Sequence, residues 1–234
     1  MKNTIDQFAY EALRAFALTH NYNEWIYEAF RPYLGKTVME IGCGIGNMSR
    51  LFLRSCEKLI GIDTSELFLK HLKIDYPQLE LYNYDVSGRD ILKLKEKEID
   101  TIVCINVLEH IENDITALEN MHHILREKGR FLLFVPALHV LYGTIDKNVS
   151  HYRRYDKEPL RKMLESGGFK IKKMHYSNFI GVFGWFLNSR ILKRKNFPIL
   201  QPIAFDKIVP LIAKLEDLIE PPFGMNLVVI AEKK

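Results

Sequence analysis

Between Thr37 and Met48 the chain reads T-V-M-E-I-G-C-G-I-G-N-M, a short apolar run that reaches an acid and then places glycine at every second position. A run of that length and composition predicts a buried strand. Gly42, Gly44 and Gly46 then permit a tight turn into a helix whose first N–H groups face whatever lies before the loop. A strand, a glycine turn and a helix in that order belong to a parallel sheet and suit a nucleotide-like ligand. The spacing discriminates further. A dinucleotide loop reads G-x-G-x-x-G with its acid about 20 residues later, whereas here the pattern is G-x-G-x-G and Glu40 stands directly before it.

Glu40 would repel a pyrophosphate but attract an ammonium group across a short, poorly hydrated gap. S-adenosylmethionine carries such a group. The next apolar run, residues 58–63, ends in Asp63, and a carboxylate there can accept from both hydroxyls of a ribose. A third run ends in Asp85, and a fourth, residues 99–107, leads into L-E-H-I at 108–111. In this order the series E-x-G-x-G-x-G, G-I-D, Asp85 and N-V-L-E-H-I resembles the class I S-adenosylmethionine-dependent methyltransferases over residues 37–137. The resemblance implies that Glu40 and the loop of Gly42, Cys43, Gly44 and Gly46 face the methionine portion of S-adenosylmethionine and Asp63 its ribose, with Asn47 and Thr64 also among the cofactor-binding residues. It places Asp85 and Val86 at the adenine and Asn106 and Val107 beside the sulfonium, with S-adenosylhomocysteine as product.

Strands and helices alternate through this region: strands at 37–43, 58–63, 79–85, 99–107 and 130–136, helices at about 46–55, 65–75 and 114–126. Alternation of this kind predicts an α/β, Rossmann-like, doubly wound and mostly parallel sheet, seven-stranded here, with its ligand at the carboxyl ends of the strands. Two amphipathic helices over residues 9–34 precede it. A helix at 156–166 and a strand at 169–174 follow, then a helical insertion and a last strand at 226–231. Residues 1–234 are expected to form a single methyltransferase domain, with 1–36 as a helical cap, 37–137 as the cofactor-binding core, and 138–155 and 177–224 as substrate-side insertions.

With 234 residues, 47% of them hydrophobic, the chain can bury a full core. Its formal charge of +4 is spread among 29 acids, which disfavours a nucleic-acid track. Cys43, Cys56 and Cys104 lack C-x-x-C spacing, and His122 and His123, adjacent on a helix, point about 100° apart. No metal is therefore expected. The N-terminus lacks the apolar core of a signal peptide and no run approaches the ~20 apolar residues of a membrane span, so a cytoplasmic location is expected.

The acceptor must be read from the segments outside the core. Residues 138–155 concentrate groups that donate, accept and titrate. His151 could take a proton from an acceptor, Arg153 and Arg154 could hold a carboxylate or phosphate, and Tyr142 and Tyr152 could line the site. The alternative is a lid whose aromatics pack on the core and whose arginines pair with acids. His110 is a second catalytic candidate beside the methyl; otherwise Glu109 and His110 cap and orient the loop carrying Asn106. Phe179–Leu187, with Trp185, is either a buried helix or an apolar wall or membrane-touching surface, and Arg190, Lys193, Arg194 and Lys195 after it suit an anionic headgroup. Tyr22, Asn23 and Trp25 either close over the cofactor or are buried between helices. No Asn/Asp-Pro-Pro-Tyr/Phe tetrapeptide follows strand four, where methyltransferases of base amines or glutamine carry one. The expectation is therefore O- or C-methylation of a small-molecule, lipid-like or saccharide acceptor, with possible peripheral membrane contact. The alternatives are an RNA or protein methyltransferase and a non-catalytic cofactor-binding regulator; a nicotinamide dehydrogenase is disfavoured by Glu40.

Overall fold

The computed structural model describes Tyr10, residues 13–194 and residues 200–234. The start of the first expected N-terminal helix and Lys195 lie outside these residues. A seven-stranded sheet runs through the molecule in the order β3-β2-β1-β4-β5-β7-β6. Its strands are β1 (Thr37–Ile41), β2 (Lys58–Ile62), β3 (Glu80–Tyr82), β4 (Ile99–Ile105), β5 (Leu125–Pro136), β6 (Phe169–Ser177) and β7 (Asn226–Lys233). β1 to β5 pair in parallel, and β7 is antiparallel to both β5 and β6.

Both faces of this sheet are covered, so its central strands are apolar at consecutive positions rather than at alternate ones. Successive residues feed opposite layers. On one face Met39, Ile102, Phe131 and Leu133 pack with Leu118 and Met121 of α4 (Asp114–Ile124) and Leu160 and Leu164 of α6 (Lys157–Ser166). On the other, Val38, Val103, Leu132 and Phe134 pack with Ile26 and Phe30 of α1 (His20–Phe30), Phe52 of α2 (Ser49–Phe52) and Leu72 of α3 (Glu66–Asp75).

Strand order reverses between β1 and β4, whose register pairs Ile41 with Cys104. Chains leaving these two neighbours depart in opposite directions, which opens a crevice at their carboxyl ends. The expected helix at 46–55 shrinks to Ser49–Phe52 flanked by turns, because the glycine loop occupies the residues before it. Strand five begins at Leu125, earlier than periodicity indicated, and β6 runs on to Ser177 because β7 pairs with it through Asn226. The loop 138–155 is not continuous turn: it holds a one-turn helix at His139–Leu141 and α5 (Thr144–Asn148).

The insertion after β6 comprises α7 (Phe179–Trp185), prolonged by a wider turn through Phe186–Ile191, then α8 (Leu200–Asp206) and α9 (Val209–Leu218). Charged caps tie it to the rest. Asp206 accepts from the N–H groups of Asn21 (3.2 Å) and Tyr22 (2.8 Å) at the start of α1, where the helix dipole favours an acid. Glu216 accepts from the N–H groups of Asn178 (3.0 Å) and Phe179 (2.8 Å) at the start of α7. No helix among the described residues is long and apolar enough to cross a membrane.

Leu133, fully buried on β5 between β4 and β7, tests the layered core. Leu133→Ala is expected to lower the unfolding free energy by about 2–5 kcal/mol in urea denaturation.

Candidate active site

The crevice is floored by the glycine loop. Gly42, Gly44 and Gly46 take φ values of +67°, +52° and +86°. At Gly42 a Cβ would meet a Val107 methyl at 2.4 Å and at Gly46 a Leu72 methyl at 2.4 Å, so glycine is required there both by conformation and by space. The loop brings together the groups expected at the methionine and ribose ends of a cofactor. Glu40 is buried and accepts a hydrogen bond from Ser49 Oγ; burial, with Asp63 nearby, pushes its pKa up to about 8. Asp63 follows β2 directly, accepting from Gly44 N–H (2.8 Å) and Ser65 N–H (2.8 Å). Cys43 is buried, and burial raises its thiol pKa, which makes it an inert part of the loop. Asn47 donates to the Leu13 carbonyl (2.8 Å), joining the loop to the N-terminal segment. Thr64 is exposed on the rim.

After β3, where the adenine is expected, Val86 is buried, whereas Asp85 is exposed and uses Oδ1 to accept from the Ser87 N–H and hydroxyl. Asn106, just past β4, stands at φ +51°, a left-handed conformation that asparagine tolerates better than most residues, and its N–H donates to the Phe134 carbonyl (2.8 Å). Val107 meets Gly42 across the crevice. Tyr22 packs edge-on against Trp25 and Phe134, with its hydroxyl donating to Asn226 (3.1 Å), and Asn23 is buried against the Phe16 carbonyl. These residues brace α1 against the sheet.

Past β4, where the acceptor is expected, hydrogen bonds fasten the segment after β5 to the end of β4. Tyr152 N–H donates to the Glu109 carbonyl (2.8 Å), and Tyr155 Oη donates to Asp114 (2.9 Å), with the Leu108 carbonyl 3.2 Å away. His151 thereby comes to rest beside His110, ring centroids 4.6 Å apart. Asp146 organises this side. Its carboxylate accepts from Arg154 Nε (2.7 Å), Gly143 N–H (2.9 Å) and Trp185 Nε1 (3.3 Å), and its Oδ1 lies 3.0 Å from His151 Nδ1. Despite its burial, these partners hold its pKa below the usual carboxylate range. His110 keeps part of its surface in solvent, yet burial around the ring and the neighbouring His151 lower its pKa to about 4.

Two expectations are corrected by this geometry. Arg154 does not face an acceptor: its side chain is wholly buried, paired with Asp146 and lying 4.4 Å over the Trp185 ring. Arg153 is likewise engaged, by Asp114 (2.7 Å) and the Glu112 carbonyl (2.6 Å). Trp185 serves this packing, and Tyr142 Oη donates to the His151 carbonyl (2.7 Å), so both brace the segment; Tyr152 stays exposed. Nor does the Glu109 carboxylate cap a loop. It is wholly buried, with neither oxygen hydrogen-bonded, and burial pushes its pKa up to about 8. Asp146 and Asp114 were not singled out from the sequence for these roles, since only the fold brings Arg154 and Arg153 to them.

Residues 39–131 match a family model described as a methyltransferase domain. A relative in Mycolicibacterium smegmatis, described as a probable S-adenosylmethionine-dependent methyltransferase, is 26% identical over 151 residues, covering 64% of this chain and 56% of that protein. The chain thus spans little more than half the length of that relative. A ubiquinone biosynthesis O-methyltransferase of Coxiella burnetii is 24% identical over 159 residues, covering 61% of this chain and 68% of that one. Among solved structures, a Thermotoga maritima S-adenosylmethionine-dependent methyltransferase superposes with a TM-score of 0.69 at 18% identity, over 98% of this chain and 97% of that one, which shows a shared fold. Over residues 39–131 the chain is thus similar to a methyltransferase domain, and its fold is the one shared by S-adenosylmethionine-dependent methyltransferases of known structure.

Removing Asp146 leaves the Arg154 guanidinium buried without its counter-charge. Asp146→Ala is expected to cost about 3–5 kcal/mol in denaturant unfolding, far more than a surface acid such as Glu66.

Proposed function

We propose that the chain transfers the methyl group of S-adenosylmethionine to oxygen or carbon of a small-molecule acceptor of apolar, lipid-like character. The observation that carries this reading is the surface beside the crevice. Ser177, Asn226 and Pro136 lie in register on β6, β7 and β5, so the insertion after β6 leaves the same edge as the strand ends that hold the site. It docks on the acceptor segment, with Thr144 Oγ1 donating to the Ser189 carbonyl (3.0 Å) and Arg190 Nη1 to the Tyr142 carbonyl (3.0 Å). The expected buried helix is instead largely open, with Phe183 57%, Leu187 47% and Ile191 59% exposed. Such a patch beside Arg190 and Lys193 suits a greasy acceptor delivered at an anionic lipid surface. The Coxiella relative's name, an O-methyltransferase of ubiquinone biosynthesis, supports an acceptor of this type.

In this reading Glu40 meets the ammonium group of the cofactor, Asp63 its ribose hydroxyls and Val86 its adenine, while Asn106 and Val107 flank the sulfonium. The donor set fits such a ligand. A buried acid held largely protonated is poised to ionise beside a cation, and the glycine loop leaves no side chain where the ligand would lie. The bound cofactor supplies an activated methyl group. The chain aligns acceptor, methyl and sulfur, which accounts for much of the rate in a displacement with so good a leaving group. His151, oriented by Asp146, and His110 stand on the acceptor side, where His151 could take the proton of a hydroxyl acceptor.

Calorimetry with S-adenosylmethionine and S-adenosylhomocysteine is expected to show binding to the wild type, weakened roughly ten- to a hundredfold by Asp63→Ala, and none with NAD. A cation beside Glu40 favours its charged form, so its pKa falls on binding and a proton is released. Affinity should therefore rise with pH below about 8, by at most about tenfold per unit, and Glu40→Gln should remove that component. Preference for NAD would overturn the reading. Radiolabel from the methyl group, offered with a cell extract, is expected in the organic-soluble fraction; label confined to RNA or protein would reject the acceptor class.

A further inference from the structure

We propose that Glu109, His110 and His151 form a divalent-cation site on the acceptor side of the cofactor crevice. The proposal stands on these three side chains alone and does not depend on which acceptor is methylated. It departs from the expectation that the chain binds no metal.

Their ligand atoms, one carboxylate oxygen and two ring nitrogens, all lie within 4.8 Å of one another. A group of titratable side chains would mean little by itself, but Glu109 adds a separate observation. It is wholly buried and neither carboxylate oxygen has a hydrogen-bond partner. A buried carboxylate left unpartnered is costly, and a bound cation is one arrangement that would complete it. His151 is aimed in the same way. Asp146 Oδ1 sits at its Nδ1 (3.0 Å), leaving Nε2 turned toward Glu109 Oε1, 3.8 Å away. A carboxylate behind one ring nitrogen fixes the tautomer and orientation of the other, which is how ligating histidines are prepared. Arg154 is hydrogen-bonded to Asp146, whereas it reaches Glu109 only as a nearby charge.

The backbone holds the donors in place. Glu109 and His110 lie in a single turn after β4, where His110 N–H donates to the Val107 carbonyl (2.9 Å). His151 arrives from the segment after β5, fastened by Tyr152 N–H to the Glu109 carbonyl and by its own N–H to the Asp146 carbonyl (2.9 Å). Two imidazoles and one carboxylate suit zinc, manganese or ferrous iron better than calcium or magnesium, which prefer all-oxygen shells. Three protein donors would leave a coordination position free, at which a hydroxyl of the acceptor could be held and polarised. A ligated His151 Nε2 has no lone pair left for a proton, so the cation would replace His151 as the group that promotes loss of that proton.

The test uses the full chain freed of metal by a chelator and titrated with zinc by calorimetry, with cobalt(II) absorption as a second readout. One equivalent should bind to the wild type. Binding should be lost in Glu109→Gln and in His151→Ala, reduced in His110→Ala, and unchanged in His123→Ala, which alters an exposed histidine elsewhere. Circular dichroism identifies any variant that fails to fold, and the two histidine variants then decide. No binding by the wild type, or wild-type affinity retained by both His151→Ala and His110→Ala, overturns the site. S-adenosylmethionine titrations run in parallel separate the two proposals: intact cofactor binding without zinc binding rejects the cation site alone, whereas zinc binding without cofactor binding rejects the methyl-transfer reading alone.

Discussion

The reversal of strand order between β1 and β4 is the constraint on which the rest of the molecule depends. Two parallel neighbours whose connections leave in opposite directions cannot close over their own carboxyl ends, so a crevice remains there. The glycine loop after β1 and the Asn106 turn after β4 line its two walls, meeting at Gly42 and Val107. A covered sheet makes the position durable. Because residues such as Val38 and Met39, or Leu132 and Leu133, go to opposite cores, neither wall can shift without disturbing both layers.

A second set of interactions builds the segment after β5 onto this frame. Asp146 receives a guanidinium, an indole N–H, a backbone N–H and a histidine from four places in the chain. Breaking any one leaves a buried polar group unsatisfied, so the network acts as a unit. It joins the segment after β5 to the insertion after β6, which is how Trp185 and His151 come to share one carboxylate while being 34 residues apart in sequence. The arginines that look, in sequence, like anion receptors are consumed in this assembly.

Charge placement divides the crevice in two. Glu40 and Asp63 lie beside the glycine loop after β1 and β2, while Glu109 and the two histidines lie past β4. Glu40 and Glu109 are both deeply buried, but their surroundings differ: Ser49 satisfies Glu40, and nothing hydrogen-bonds the Glu109 carboxylate. The exposed apolar helix adds a third surface, continuous with the acceptor segment through Thr144 and Arg190.

What could be read directly from the chain was local. Gly42, Gly44 and Gly46 announced a turn, since only glycine takes positive φ freely in so small a space, and the acids at 40 and 63 announced the ligand's polarity because each follows an apolar strand by short-range order. The alternation of strands and helices likewise set the class of fold. Strand ends were less legible: β6 runs to Ser177 because β7 pairs with it, a condition that no nearby residue encodes. Whether Arg154 binds a ligand or Asp146, whether the helix at Phe179 is buried or open, and whether Glu109 caps a loop or faces two histidines were decided by tertiary structure alone. Glycine conformation and strand periodicity are properties of neighbouring residues, whereas burial and the pairing of charge depend on which distant segments the sheet brings to one edge.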